Sequence, residues 1–165
     1  MTAMTEIEIH KQDMKFSAAH FTVFSATERE RLHGHNFAVH ASVRAPVGDD
    51  GMCFSYVELK TRLRDYCAAL DEYLLLPERS PHLEVETVDE HYYRVRFAGE
   101  VMTFLKRDTR LLPIRNTTVE EFSAYLLQCL LDDREFVRSR GIQAIRIRVS
   151  SGPGQSGSAE WRAEP

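Results

Sequence analysis

The chain has 165 residues, 43% of them apolar and 28% charged, with a net charge of -4. That length suits one domain with its own core and is short for two, and the acidic balance leaves no electrostatic footprint for nucleic acid or an anionic membrane. No apolar run approaches the roughly 20 residues of a membrane span, and the opening MTAMTEIEIHK lacks the basic-then-apolar layout of a secretory signal, so the cytoplasm is the expected location.

In chain order, Met14, Phe16, Ala18 and His20 share one parity and predict a strand with these side chains on one face. A second strand is expected from about residue 32 to 44, with Phe37, Val39, Ala41 and Val43 on one face and Ala38, His40, Ser42 and Arg44 on the other. The stretch PVGDDG at 46–51 reads as a turn. Ser55 followed by Glu58 spells a capping box, after which Leu59, Leu63, Tyr66, Cys67 and Leu70 recur at helical spacing. This helix should end within 70–76, ahead of Pro77. Alternation across 83–97, broken at Asp89-Glu90, predicts an inserted hairpin. Thr118 and Glu121 open a second helix with Val119, Phe122, Leu126 and Leu130 on its apolar stripe. Ile145, Ile147 and Val149 alternate with Arg146 and Arg148 in a closing strand, and the Gly/Ser-rich tail from about Gly152 is expected to be partly mobile. Strand, strand, helix, hairpin, helix, strand fold most simply as α+β, an antiparallel sheet with helices on one face, in one domain over 1–165.

Cys53, Cys67 and Cys129 lie far apart without a CxxC pair, which argues against a disulfide framework or a thiolate metal site. Histidines offer more. His33 and His35 point the same way in a strand, about 6.6 Å apart along it, close enough to reach one ion. They share parity with Phe37 and Val39, so His40 faces away and is excluded as a third ligand. His20 ends a strand face that would supply a third imidazole if the two strands pair. Three neutral nitrogens with an open position form a catalytic zinc site, whereas a structural site is closed by four. A pair of hydrogen-bonded surface histidines is the alternative, and spacing alone does not decide between them.

The surrounding residues add a resemblance. Phe16-Ser17-Ala18-Ala19-His20 followed by Leu32-His33-Gly34-His35-Asn36-Phe37 closely resembles the FxAAH…LHGHNY signature of the 6-pyruvoyl-tetrahydropterin synthase / 6-carboxytetrahydropterin synthase family. Gly51-Met52-Cys53-Phe54-Ser55-Tyr56 with Leu59-Lys60, Leu70-Asp71, Leu74-Leu75-Leu76-Pro77, Leu112-Pro113-Ile114, Asn116-Thr117-Thr118-Val119-Glu120 and Gly154-Gln155 follow in the family's order, so the resemblance covers almost the whole chain. It implies the tunnelling fold, a four-stranded antiparallel sheet with two helices on one face. It also implies trimers that close into a barrel, two of them stacked as a homohexamer with active sites between subunits. His20, His33 and His35 would hold Zn2+, which binds the side-chain oxygens of 7,8-dihydroneopterin triphosphate. The implied activity is that of a lyase that eliminates triphosphate, or removes two carbons as acetaldehyde to leave 6-carboxytetrahydropterin on the route to queuosine.

Three departures from the pattern bear on the chemistry. The family's catalytic cysteine is missing, and Glu28-Arg29-Glu30-Arg31 stands in its place. A subgroup with glutamate there makes 6-hydroxymethyl-dihydropterin for folate synthesis; Glu30 resembles that residue, with Glu28 second. A carboxyl with an ordinary pKa of about 4.3 would have to be raised to match a thiolate. The bland reading is a charged, solvated loop, and Lys15, Arg29 and Arg31 would then meet water rather than a triphosphate. Next, Asp71 is kept but Glu72 occupies the place of a proton-shuttling histidine, for which His82 or His91 of the insert are the spatial substitutes on offer. Last, Ser150-Ser151 replace the glutamate that anchors the pterin, and a hydroxyl lacks the forked acceptor pair of a carboxylate. Glu120 is the remaining acidic candidate for substrate binding. Three readings follow: a zinc-dependent pterin lyase, an enzyme of this fold with a non-pterin substrate, or a catalytically inactive zinc-binding homologue.

Overall fold

A computed structural model describes residues 3–164. Its strands and helices run β1 (Met4–Ile9), β2 (Lys15–His20), β3 (His33–Pro46), α1 (Tyr56–Leu70), β4 (Tyr73–Pro77), β5 (Glu84–Thr87), β6 (Tyr92–Phe97) and β7 (Glu100–Leu105), then β8 (Thr109–Leu112), α2 (Val119–Asp132), α3 (Arg134–Ser139), β9 (Ala144–Gly152) and β10 (Gln155–Arg162). The longest alternating stretch of the sequence becomes the spine of the main sheet. In β3, Phe37, Val39, Ala41, Val43 and Ala45 are buried while the intervening residues are not. β1 and β2 pair antiparallel with the two halves of one edge of β3, and β9 and then β10 add antiparallel on its other side. β4 and β8 extend the sheet beyond β2 in parallel.

Helices α1 and α2 close over one face. Leu59, Leu63, Cys67 and Leu70 of α1 and Phe122, Leu126, Leu127 and Leu130 of α2 meet Phe16, Phe37, Val39, Ile147 and Val149 in one core. Fully burying each Leu or Phe contributes about 1.5–3 kcal/mol. Both expected capping boxes mark helix starts, but neither closes reciprocally. The Ser55 side chain makes no cap bond, and Glu58 pairs with Arg140 instead. Thr118 Oγ1 accepts from the Glu121 N–H, while the Glu121 carboxylate turns to Arg115. The α+β class with helices on one face is as expected from the sequence.

The surroundings of that core are richer than expected. Helix α1 ends at Leu70, within the expected 70–76, and the apolar run Leu74-Leu75-Leu76 that follows is strand β4, which the sequence reading did not include. The insert carries a third strand beyond the expected hairpin, so that β5, β6 and β7 form a separate antiparallel sheet. Val95 and Phe97 of that sheet join Phe21, Val23, Leu74, Leu76 and Leu83 in a second, smaller core. The tail expected to be mobile is strand β10. Gly157 explains part of its composition, because a Cβ there would lie 3.0 Å from the Glu120 nitrogen and 3.1 Å from the Val119 carbonyl carbon. Glycine therefore lets β10 run against the start of α2. Among the described residues no helix is long and apolar enough to cross a membrane.

Candidate metal centre

Strand pairing decides which histidines meet. β2 and β3 pair in a register that sets His20 opposite His33 and Ala18 opposite His35. All three imidazoles lie on the helix-covered face, with ring centroids 4.7 Å apart for His20 and His33, 5.3 Å for His20 and His35, and 4.8 Å for His33 and His35. One nitrogen from each lies within 4.8 Å of the others. The Nε2 atoms of His33 and His35 are 3.0 Å apart. Two imidazole nitrogens on one tetrahedral zinc stand about 3.3 Å apart, so this pair is already near ligand spacing.

The other ring nitrogens are engaged in ways that fit a cation. His20 Nδ1 donates to the Thr117 carbonyl at 2.8 Å and His33 Nδ1 to the Arg31 carbonyl at 2.6 Å. Such bonds place the proton on Nδ1 and leave the Nε2 lone pair facing inward. His20 Nε2 is buried and has no hydrogen-bond partner among the described residues. A buried acceptor left alone is costly, and an ion bound to it removes that cost. Burial pushes the His20 imidazole below its ordinary pKa, against the opposing Thr117 bond, which favours the neutral, ligating form. Phe37 and Phe122 wall the ring, at centroid distances of 5.3 and 6.4 Å. Neutral imidazole donors with a position left open suit zinc.

A splint that sequence reasoning missed holds His20 in place. Asn116 Oδ1 accepts the N–H groups of Val23 and Thr117, and its Nδ2 donates to the Val23 carbonyl at 2.8 Å. Thr117 Oγ1 donates to the Phe21 carbonyl at 2.8 Å. Residues 116–117 thus grip the chain immediately after His20 and present the carbonyl that orients it. The Asn-Thr-Thr motif was the visible signal, but its working atoms are largely main chain.

Of the charged loop, Glu30 is the residue brought to the triad. Its Oε2 accepts the Thr22 N–H at 2.9 Å and lies 3.8 Å from His33 Nε2, and its own N–H donates to the Thr22 carbonyl. Burial would raise the Glu30 carboxyl, but the Thr22 bond and the nearby imidazoles of His33 and His20 outweigh it, and the net shift is downward. The expectation of a raised pKa is therefore corrected, because an N–H aimed at the charged form stabilises it. Glu28 is exposed, its N–H bonded to Ser25 Oγ and its carbonyl accepting from Phe24. Lys15 and Arg31 are exposed.

Among the described residues the remaining acidic candidates do not join the triad's cluster of ligand atoms. Asp71 accepts the Ser17 N–H at 2.7 Å and caps the end of α1. Glu72 has a left-handed backbone, φ 63°, and lines a shallow hollow together with Ser17, Asn36, Tyr73 and the triad residue His35. Glu120 is exposed in the first turn of α2, and Ser150 and Ser151 are half-buried on β9. His82 and His91 are exposed on and beside the insert. His40 is on the opposite face from the triad, stacked on His10. No thiol joins the cluster among the described residues. Burial pushes the Cys67 thiol up to about 12 and raises Cys129, as expected of cysteines that pack as small hydrophobes.

Known proteins resemble the whole arrangement. The sequence pattern of the family described as 6-pyruvoyl tetrahydropterin synthase matches residues 8–161. A Methanocaldococcus jannaschii protein, provisionally described as a 6-carboxy-5,6,7,8-tetrahydropterin synthase, is 26% identical over 153 residues, covering 92% of this chain and 93% of that one. The 6-pyruvoyl tetrahydropterin synthase of Plasmodium falciparum superposes with a TM-score of 0.91 at 31% identity, over 98% of this chain and 99% of that one. Its Plasmodium vivax counterpart superposes at 0.91 with 28% identity and the same coverage. Variants of the P. vivax enzyme, in which a glutamate described as a catalytic residue becomes cysteine or alanine, superpose at 0.92 with 27% identity over 98% and 99% of the two chains.

Proposed function

Because this chain belongs to the 6-pyruvoyl tetrahydropterin synthase family, we propose that it is a zinc-dependent lyase acting on 7,8-dihydroneopterin triphosphate or a closely related pterin. The observation that carries this reading is a carboxylate, Glu30, held 3.8 Å from a histidine of a triad whose ligand atoms converge, with His20 Nε2 buried and unpaired among the described residues. His20, His33 and His35 would hold the ion, which when bound supplies Lewis-acid stabilisation to charge developing on substrate side-chain oxygens.

The chain's own groups divide the remaining work. Thr117 and Arg31 carbonyls fix the imidazoles, and Phe37 and Phe122 exclude water behind His20. Thr22 ties down the Glu30 carboxylate through Oε2, and Oε1 is proposed as the proton acceptor. The P. vivax enzyme, in which a glutamate is described as a catalytic residue, supports a carboxylate in this role. Asp71 and Glu72 are proposed as proton-relay groups, in a homohexamer whose active sites would lie between subunits; Glu72 shares a hollow with the triad residue His35. Glu120, Ser150 and Ser151 are proposed for the pterin end of the substrate.

Incubating zinc-loaded protein with 7,8-dihydroneopterin triphosphate and weighing the products tests the proposal. A pterin without triphosphate is expected, and its mass distinguishes a 6-hydroxymethyl product, on the folate route, from a 6-carboxy one, on the queuosine route. Unchanged substrate beside bound zinc would contradict it. One observation favours a second reading, a non-pterin substrate: Ser150-Ser151 offer hydroxyls where a forked acceptor is needed. Failure of the purified protein to bind dihydroneopterin would move the assignment there.

A further inference from the structure

We propose that Arg29 is a positioning residue for Glu30, through which the inserted sheet β5–β7 sets the placement of the base; this rests on the reading of Glu30 as proton acceptor. An arginine in a run of four charged residues would ordinarily extend into water. Arg29 instead has a side chain only 20% exposed. Its Nη1 donates to the main-chain carbonyl of Glu30 at 2.9 Å, and its Nη2 to Glu100 Oε2 at 2.9 Å. The guanidinium also lies over two rings, 5.2 Å from the Phe21 centroid and 5.7 Å from that of Phe97.

These four contacts join three parts of the molecule. Phe21 directly follows the ligand His20, Glu30 carries the proposed base, and Phe97 and Glu100 belong to the insert. The two insert residues meet Arg29 together because a tight turn separates them, with Ala98 at φ 47° and Gly99 at φ 82°. Glu100 is 63% exposed, so its ion pair alone would hold little. The grip comes from the carbonyl bond and the aromatic faces, which are shielded from water. Arg29 Nε is buried without a partner among the described residues, so the group sits here although one donor stays unpaired.

The consequence is mechanical. Glu30 is held by its N–H to the Thr22 carbonyl, by its carboxylate to the Thr22 N–H, and by its carbonyl to Arg29. Only the last bond comes from a side chain that also touches the insert. Releasing it frees the peptide plane that aims the carboxylate, and a displacement of about 1 Å in a catalytic group costs on the order of 100-fold in rate.

The test pairs Arg29→Ala with Glu30→Gln, using zinc-loaded protein and 7,8-dihydroneopterin triphosphate. Arg29→Ala should lower kcat by about 10- to 100-fold, with KM and zinc content unchanged. In a Glu30→Gln background the same change should cost nothing more, because the group it positions is already disabled. Arg29→Gln, which keeps a donor for the carbonyl, should recover part of the loss, and Glu100→Gln should cost less than either; these two decide the matter if Arg29→Ala does not fold. Equal losses in both backgrounds would overturn positioning and leave the base assignment standing. So would full turnover in Arg29→Ala when Glu30→Gln is crippled, whereas full turnover in Glu30→Gln overturns both. Amide exchange at Glu30 and Thr22 reads the grip without turnover: it should quicken in Arg29→Ala, and unchanged exchange would contradict the proposal. Inactivity toward this pterin together with quickened exchange would count against the proposed function alone.

Discussion

Two histidine clusters sit on opposite faces of one sheet, both built partly from β3. On the helix-covered face, His20, His33 and His35 turn Nε2 atoms toward one another, and carbonyls hold the outer nitrogens of His20 and His33. On the open face, His10 and His40 lie flat against each other, ring centroids 3.5 Å apart and planes within 4°. There His40 Nδ1 accepts from Arg148 at 2.8 Å, which spends the lone pair a metal would need. Residue type is the same in both clusters. His40 differs from His20 and His33 in what meets Nδ1: a carbonyl there leaves the Nε2 lone pair available to a cation, whereas the Arg148 donor takes the lone pair of His40.

Glu30→Gln tests the helix-side cluster hardest, since a lost general base lowers kcat by about 100- to 10,000-fold while zinc content holds. His40→Gln should leave turnover untouched, and equal losses from the two variants, measured as product per minute, would erase the distinction. A smaller effect is expected of Asn116→Ala, which removes the splint behind His20. Loss of an outer support of a metal ligand weakens metal binding by about 10- to 100-fold, readable by competition with a chelator. Unaltered affinity would mean that Thr117 holds His20 without that support.

The smallest effect concerns pH. His40 is pushed down to about 4 by burial first, then by His10 and Arg148. Its folded pKa lies below the unfolded value of about 6.5, so its contribution to stability is fully present above pH ~6.5 and lost as pH falls toward ~4. In zinc-free protein, urea midpoints should decline less steeply over that window for His40→Gln than for the native chain. Parallel declines would place the acid sensitivity elsewhere.

The triad was legible because strand parity is a two-residue rule: His33, His35 and Phe37 share a face, and His40 cannot. Register was the added fact, since only the β2–β3 pairing shows His20 opposite His33. The exclusion of His40 could be made from the sequence, whereas its stacking on His10 depends on how β1 leads into β2. Strand β4 was not legible because the short apolar run Leu74-Leu75-Leu76 carries no period, so a buried strand and a helix end look alike. The tail misled through its Gly and Ser, which here allow β10 close against α2. Glu30 was singled out by resemblance, but its lowered pKa was not legible. That shift depends on a main-chain N–H of Thr22, and main-chain donors leave no mark in a sequence. The same holds for the carbonyls of Thr117 and Arg31.

Metal analysis of the native protein beside His20→Ala and His40→Ala tests the central claim most directly. The account predicts about one zinc per chain in the native protein and in His40→Ala, and none in a folded His20→Ala. A native protein without metal, or a His20→Ala that keeps its zinc, would contradict it.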